Sequence, residues 1–171
     1  MKIICSQFIL RELQKSDAPG LATYANNFNI FINLRDYFPH PYSIEDAIDF
    51  INRNLEISPP QNFCIDYNNE CIGMIGILPL NDVYRRSAEI GYWLGEPFWG
   101  KGIMTEATKS ISGWAFQNFD IVRLQAGIFQ WNKASMRVME KAGFKLEGIF
   151  QQSIFKNAQL IDEHRYALLK H

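Results

Sequence analysis

Cysteine is scarce in this chain: 171 residues contain three, Cys5, Cys64 and Cys71, and no CxxC pair. That odd, scattered set argues against a disulfide scaffold and against a cysteine-based zinc site, so no metal is expected, and it points to a reducing, cytoplasmic setting. Cys64 and Cys71 flank an Asn68-Asn69 turn and can face each other across a hairpin. Two half-buried strand thiols are the ordinary reading of that pair; a functional dithiol is the alternative, and the compartment argument favours the first. An excess of either charge is also missing, with 17 Lys and Arg against 18 Asp and Glu and a formal net charge of -1. Non-specific nucleic-acid binding needs a clustered basic excess, so no direct nucleic-acid partner is expected. No apolar run approaches a membrane span. The opening MKIICSQFILREL meets charges at Arg11 and Glu12, so it reads as a first strand and not as a signal peptide. Internal repeats and linkers are absent as well, which leaves one domain over residues 1–171 as the expectation.

What is present is apolar and aromatic: 47% hydrophobic and 14% aromatic residues exclude a disordered chain and allow a real core. Strand and helix signals alternate. Phe8 to Leu13 reads as a strand, and Asp17 is placed to cap a helix running to about Asn26. Ser43 with Asp46 three residues later resembles a capping box, opening a helix with Ile44, Ala47, Ile48, Ile51 and Leu55 on one face until Pro59-Pro60 stops it. Phe63 to Tyr67 and Cys71 to Leu80 form a hairpin around Asn68-Asn69. Ser87 to Leu94 is a further strand, followed by a helix marked by Ile103, Ala107, Ile111, Trp114 and Ala115. Arg123 to Phe129 is a strand, Lys133 to Ala142 a short helix ended by Gly143, and two long strands close the chain around Lys156-Asn157. The fold class expected is α/β, a mixed sheet with helices on both faces.

The most informative segment is Ala88 to Ala107, AEIGYWLGEPFWGKGIMTEA. A strand breaks at Gly95-Glu96-Pro97 and passes through Gly100-Lys101-Gly102 into a helix, so loop amides and a helix N-terminus face one point. A phosphorylated ligand suits such a site. A P-loop would require G-x-x-x-x-G-K-[ST]; Gly95 to Gly102 matches until Gly102 replaces the hydroxyl residue, and the Mg²⁺ ligand is lost. The dinucleotide pattern G-x-G-x-x-G begins at Gly100 and fails at Thr105.

The loop instead resembles the acyl-CoA pyrophosphate loop of the GCN5-related N-acetyltransferases (GNAT), Q/R-x-x-G-x-G/A. Aligned on Gly102, this chain carries Trp99 in place of Gln or Arg and Met104 in place of Gly or Ala. A second segment, Trp131 to Phe144, resembles the family's N-x-x-S-x-x-x-x-x-K-x-G-F element through Asn132, Ser135, Lys141, Gly143 and Phe144. The text AEIGYWL with PFWGKGIMTEA is typical of the ribosomal-protein N-terminal (RimJ/RimL-like) branch, and the resemblance runs over essentially the whole chain. It implies the GNAT fold, a central, mostly antiparallel, splayed sheet flanked by helices, with acetyl-CoA as cofactor. It further implies N-acetyl transfer to a primary amine by direct attack in a ternary complex.

Site roles follow from the same resemblance. Backbone N–H groups of Gly100, Lys101, Gly102, Ile103, Met104 and Thr105 would hold the pyrophosphate beside Trp99, with glycine at 100 and 102 permitting φ > 0. Lys101 would add charge or lie solvated. A main-chain N–H near Trp93 or Leu94 would polarise the thioester carbonyl, and the pantetheine arm would pair with this strand as in β-augmentation. Glu89, opposite Ile90 and Tyr92 in the period-2 pattern, is the general-base candidate; a salt-bridged face residue is the ordinary alternative. Asn132 would contact pantetheine, or simply cap the short helix. Ser135 would donate to the departing sulfur, because the position at which many family members place a tyrosine is Met139 here.

The acceptor is least defined. In this branch the first two helices and their loop border the acceptor cleft, here Phe28, Phe31, Leu34, Tyr37, Phe38 and His40; His164 and His171 carry no motif. A protein N-terminus such as that of a ribosomal protein, a polyamine, an antibiotic and an amino-acid-like metabolite all remain open. So do a homodimer and a non-catalytic acyl-CoA-binding regulatory module of the same fold.

Overall fold

A computed structural model describes residues 1–170; His171 lies outside the described residues. Eight strands and five helices follow one another as β1 (Lys2–Ile4), β2 (Ile9–Glu12), α1 (Ala18–Ala25), α2 (Phe28–Phe31), α3 (Ile44–Asn54), β3 (Asn62–Tyr67), β4 (Glu70–Pro79), β5 (Ser87–Leu94), α4 (Ile103–Asn118), β6 (Arg123–Phe129), α5 (Lys133–Lys141), β7 (Lys145–Lys156) and β8 (Gln159–Leu169). The strands form one sheet in the order β1-β2-β3-β4-β5-β6-β8-β7, so the fold is of the mixed α/β class expected. Pairing is antiparallel in β1–β2, β2–β3, β3–β4, β6–β8 and β7–β8 and parallel in β5–β6. The chain forms two compact units, Met1–Gly76 with Tyr92–Ala107, and Ile77–Gly91 with the segment from Thr108 onward.

In the first unit local signals build the elements. Asn68 and Asn69 take φ of 53° and 65°, the two left-handed residues of a tight hairpin turn. The Ser43 hydroxyl accepts from the Asp46 amide at 3.2 Å while the Ser43 amide donates to the Asp46 carboxylate at 2.8 Å, which closes the expected capping box. Those contacts hold the Asp46 carboxyl below its usual range, the Ser43 amide contributing most. The face of α3 differs from the sequence expectation. Ala47 and Ile51 are buried, but Ile44, Ile48 and Leu55 are more than two-fifths exposed. The helix meets a single cluster of Leu13, Ala18, Leu21, Ala25 and Tyr42, so only a narrow stripe can be covered.

Beside that cluster lies a charged centre that local sequence signals did not indicate. The Arg11 guanidinium donates to both oxygens of Asp17 at 2.7 and 2.9 Å and to Asp66 at 2.6 Å, with the Arg11 and Asp17 side chains almost wholly buried. Asp17 therefore does not cap α1 as expected. Its carboxylate is committed to Arg11 and to the Gln14 amide at 2.7 Å, leaving no side-chain bond to the helix. The Asp17 hydrogen bond and, less strongly, that of Asp66 raise the pKa of Arg11 against the cost of its burial. Cys64 and Cys71 complete the surroundings. Both are free and fully buried, not half-buried, and their sulfur atoms and an Asp17 oxygen lie within 4.8 Å of one another. The hydrogen bond to Cys71 and then burial push the Cys64 thiol up. A thiol pushed up in this way, beside a carboxylate already clasped by a guanidinium, makes a poor cation ligand.

The second unit carries α5, β6 and the long β7–β8 hairpin. Asn157 and Ala158, at φ of 50° and 59°, form its turn, one residue later than the Lys156-Asn157 expected. Gly143 takes φ of 95° and ends α5 in the left-handed cap the sequence suggested. Among the described residues no helix is long and apolar enough to cross a membrane.

Removing one partner of a buried ion pair strands the other, typically at a cost of about 3–5 kcal/mol. Arg11→Met is accordingly expected to lower unfolding stability by about that amount in urea titration, because two carboxylates lose one cation. An unchanged midpoint would show the cluster to be dispensable.

Candidate active site

The loop after β5 is built by backbone conformation. Gly100 and Gly102 adopt φ of 75° and 79°, and a Cβ at either would meet nothing within 4 Å. The positive φ agrees with the expectation for both glycines. The Glu106 amide donates to the Gly102 carbonyl at 3.1 Å, so Gly102 caps α4 and the amides of its first turn point out of the helix end. Ile103 and Met104 bury their side chains, so only their backbone is available to a ligand. Glu106 brings an acid to the first turn, but its carboxylate accepts from the Ser6 amide at 2.7 Å and the Ser6 hydroxyl at 2.6 Å.

Trp99 stands where the family pattern has Gln or Arg. Its indole Nε1 donates to the Leu94 carbonyl at 2.6 Å, tying the loop to the last residue of β5. The Gly95 amide donates to Ile72 at 2.8 Å, which anchors the other side of the break. Phe98 packs against Tyr24 and Tyr67 with centroids 5.4 and 5.6 Å apart, and the Lys101 ammonium sits 5.3 Å above the Phe98 ring. Lys101 is thus at the loop, resting on an aromatic face. Glu96 Oε2 accepts from Asn27 at 2.6 Å and Asn29 at 3.1 Å, bonds that hold its carboxyl low and join α2 to the loop. Trp93 packs on Phe38, which in turn packs on Tyr42. Of the residues read as bordering an acceptor cleft, Phe38 is therefore packing, and Tyr37 is 83% exposed. Phe28, Phe31 and His40 form a ring cluster, with His40 stacked 5.1 Å from Phe31.

The second unit holds Glu89, Asn132 and Ser135. Glu89 alternates with buried Ala88 and Ile90 on β5 and sits opposite Gln125 of β6. Its carboxylate meets Arg165 Nη1 at 3.4 Å, the ion pair that was the ordinary alternative to a general base. Arg165 also binds Glu163 at 2.5 Å. Neither Arg165 nor Glu163 was singled out by sequence reasoning. The signal available was the polar run Asp162-Glu163-His164-Arg165 in the middle of β8. Asn132 Oδ1 accepts from the Ser135 amide at 3.1 Å, which makes Asn132 the cap of α5 and puts Ser135, buried, in its first turn. Met139 is fully buried core. The Tyr166 hydroxyl, 3.4 Å from Glu140, is pushed up chiefly by burial.

Comparison with known proteins agrees with this geometry. The family model for the acetyltransferase (GNAT) domain matches residues 7–145. The chain belongs to the acetyltransferase (GNAT) family and is an N-acetyltransferase by that membership. It is similar to the uncharacterized N-acetyltransferase YoaA of Bacillus subtilis (strain 168), 34% identical over 170 residues, 96% of this chain and 94% of that protein. The probable N-acetyltransferase YjcK of the same organism is 39% identical over 99 residues, a match spanning 56% of this chain and about half, 55%, of YjcK. The spermidine N(1)-acetyltransferase of Escherichia coli (strain K12) is 24% identical over 163 residues, 95% and 86% of the two chains. Among solved structures, RimL, a ribosomal L7/L12 alpha-N-protein acetyltransferase in complex with coenzyme A, superposes with a TM-score of 0.86 at 25% identity, covering 99% and 98% of the two chains.

The cap at Asn132 has a measurable consequence apart from any ligand. Asn132→Ala should destabilise the protein by about 1 kcal/mol, and Asn132→Ser should restore most of it, read by chemical denaturation.

Proposed function

We propose that the protein transfers the acetyl group of acetyl-CoA to a primary amine by direct attack in a ternary complex. The amine is a protein N-terminus such as that of a ribosomal protein. The observation that carries the cofactor half is the pair of left-handed glycines at 100 and 102, with open space where side chains would stand, leading into the amides of α4. These residues fit a diphosphate: backbone donors, a helix N-terminus and one cation, Lys101, in the loop. Family membership and the complex of RimL with coenzyme A support the same reading. The acceptor half rests on RimL being named a ribosomal L7/L12 alpha-N-protein acetyltransferase and matching nearly the full chain.

The residues take the following parts. Amides from Gly100 to Thr105 bind the diphosphate, with Trp99 holding the loop against Leu94. An amide near Trp93 or Leu94 donates to the thioester oxygen as charge develops on it, an interaction worth about 3 kcal/mol. Glu89 takes the proton of the attacking ammonium, directly or through water. The amine nitrogen then forms its bond to the acetyl carbon, the C–S bond breaks, and the proton shed by the nitrogen neutralises the departing thiolate to give free CoA. Ser135 stabilises the departing thiolate by a hydrogen bond, and Asn132 contacts pantetheine while capping α5.

A small cationic amine is the second reading, favoured by similarity to the spermidine N(1)-acetyltransferase. One panel separates the two: release of free CoA with ribosomal-protein N-terminal peptides, with spermidine and with aminoglycosides. Turnover of the peptides alone is the expected result. Spermidine turnover without peptide turnover would transfer the assignment to the second reading. A CoA-dependent thermal shift with no thiol release across the panel would make the protein a binding module.

Glu89→Gln should lower kcat by about 100-fold or more near neutral pH and recover partly in alkali, where the free amine needs no base. An unchanged pH–rate profile would remove Glu89 from the chemistry. Ser135→Ala should lower kcat by about 10- to 100-fold at saturating acetyl-CoA, and intact turnover would show that the thiolate needs no such donor.

A further inference from the structure

We infer that Arg165 is a positioning residue for Glu89, and that Glu163 sets how strongly it holds; this rests on the reading of Glu89 as the general base. Register supplies the first argument. Glu89 of β5 lies opposite Gln125 of β6, and Gly127, two residues along β6 and so on the same face, lies opposite Arg165 of β8. To meet Glu89 the guanidinium must pass over β6, and it does so where β6 has no side chain. A Cβ at Gly127 would come within 2.5 Å of the Glu163 carboxylate, so the glycine makes the slot in which Glu163 and Arg165 meet. Arg165 also faces Gly148 on β7, and the Phe150 ring lies 5.5 Å from its guanidinium carbon. Two glycines and an aromatic face therefore bed one cation between two acids.

The bonding within the bed is unequal. Glu163, 8% exposed, holds Nη2 at 2.5 Å, while Glu89 meets Nη1 at 3.4 Å. Glu163 is the anchor and Glu89 the lighter partner. Arg165 Nε is buried with no hydrogen-bond partner among the described residues. A cation placed for stability alone would not leave a buried donor unspent, because such pairs are weak stabilisers even when fully bonded. Across β6, Arg123 is committed to Glu147 at 2.5 Å and to Gln125 at 3.2 Å. Arg165 thus orients the Glu89 carboxylate, and competition from Glu163 keeps the guanidinium from clasping it tightly enough to disable a base.

Carbon-detected NMR of glutamate carboxyl groups tests this without any acceptor, with the Glu89 signal assigned by its loss in Glu89→Gln. Arg165→Gln should raise the titration midpoint of Glu89 by about one unit, since a neighbouring cation is lost and Glu163 remains. Glu163→Gln should move it down, since Arg165 then serves Glu89 alone. In rate profiles with acetyl-CoA and the fastest amine of the panel, the acidic limb of kcat should follow the same two directions while the KM for acetyl-CoA stays within about twofold. If Arg165→Gln does not fold, Glu163→Gln carries the test by itself. An unmoved midpoint in the folded variants overturns the inference. If midpoints move but Glu89→Gln keeps the acidic limb, the base reading fails while the positioning geometry stands.

Discussion

The indole of Trp99 on the carbonyl of Leu94 is the contact on which the loop after β5 depends. At 2.6 Å it fixes where β5 stops, and every later residue of the loop is placed from that point. With the strand end held, two residues of left-handed backbone at Gly100 and Gly102 turn the chain into α4. Conformation and not side-chain chemistry then supplies the donors, because the side chains of Ile103 and Met104 are withdrawn into the core. Phe98, wedged between Tyr24 and Tyr67, keeps the turn from collapsing, and Lys101 lies across it.

The interior is organised by charge as much as by hydrophobic contact. Arg11 gathers Asp17 and Asp66 beside Cys71 and the Cys64 thiol, which the hydrogen bond to Cys71 and burial push up. Arg165 gathers Glu89 and Glu163 on the strands of the other unit. In each case one arginine serves two carboxylates, which suits a planar cation with five donors. The difference lies in completeness. The Arg11 cluster is tightly bonded to both acids, whereas Arg165 holds one acid closely, the other loosely, and leaves Nε without a hydrogen-bond partner among the described residues.

Legibility of the sequence followed the range of the interaction. The Ser43–Asp46 capping box, the Asn68-Asn69 turn, the Gly143 terminator and the Asn132 cap all lie within a few residues, and each was readable because one residue's chemistry answers its neighbour's backbone. The glycine loop and the Asn132–Ser135 helix start were legible for the same reason. Asp17 was misread because its local role was plausible. A carboxylate at a helix start usually caps, but Arg11, six residues earlier on β2, offers a stronger bond.

By itself, then, the sequence determined most of the order of strands and helices, though not the short β1 and α2. It also determined the positive-φ positions at Asn68-Asn69, Gly100, Gly102 and Gly143 and the family to which the chain belongs, since those depend on periodicity and on residues adjacent along the chain. Tertiary structure decided the partners. Asp66 reaches Arg11 across 55 residues and Arg165 reaches Glu89 across 76, and neither spacing carries a local signal. Such pairs exist only once strand register has set which side chains share a face, and once Gly127 has left room for a cation to lie between two acids.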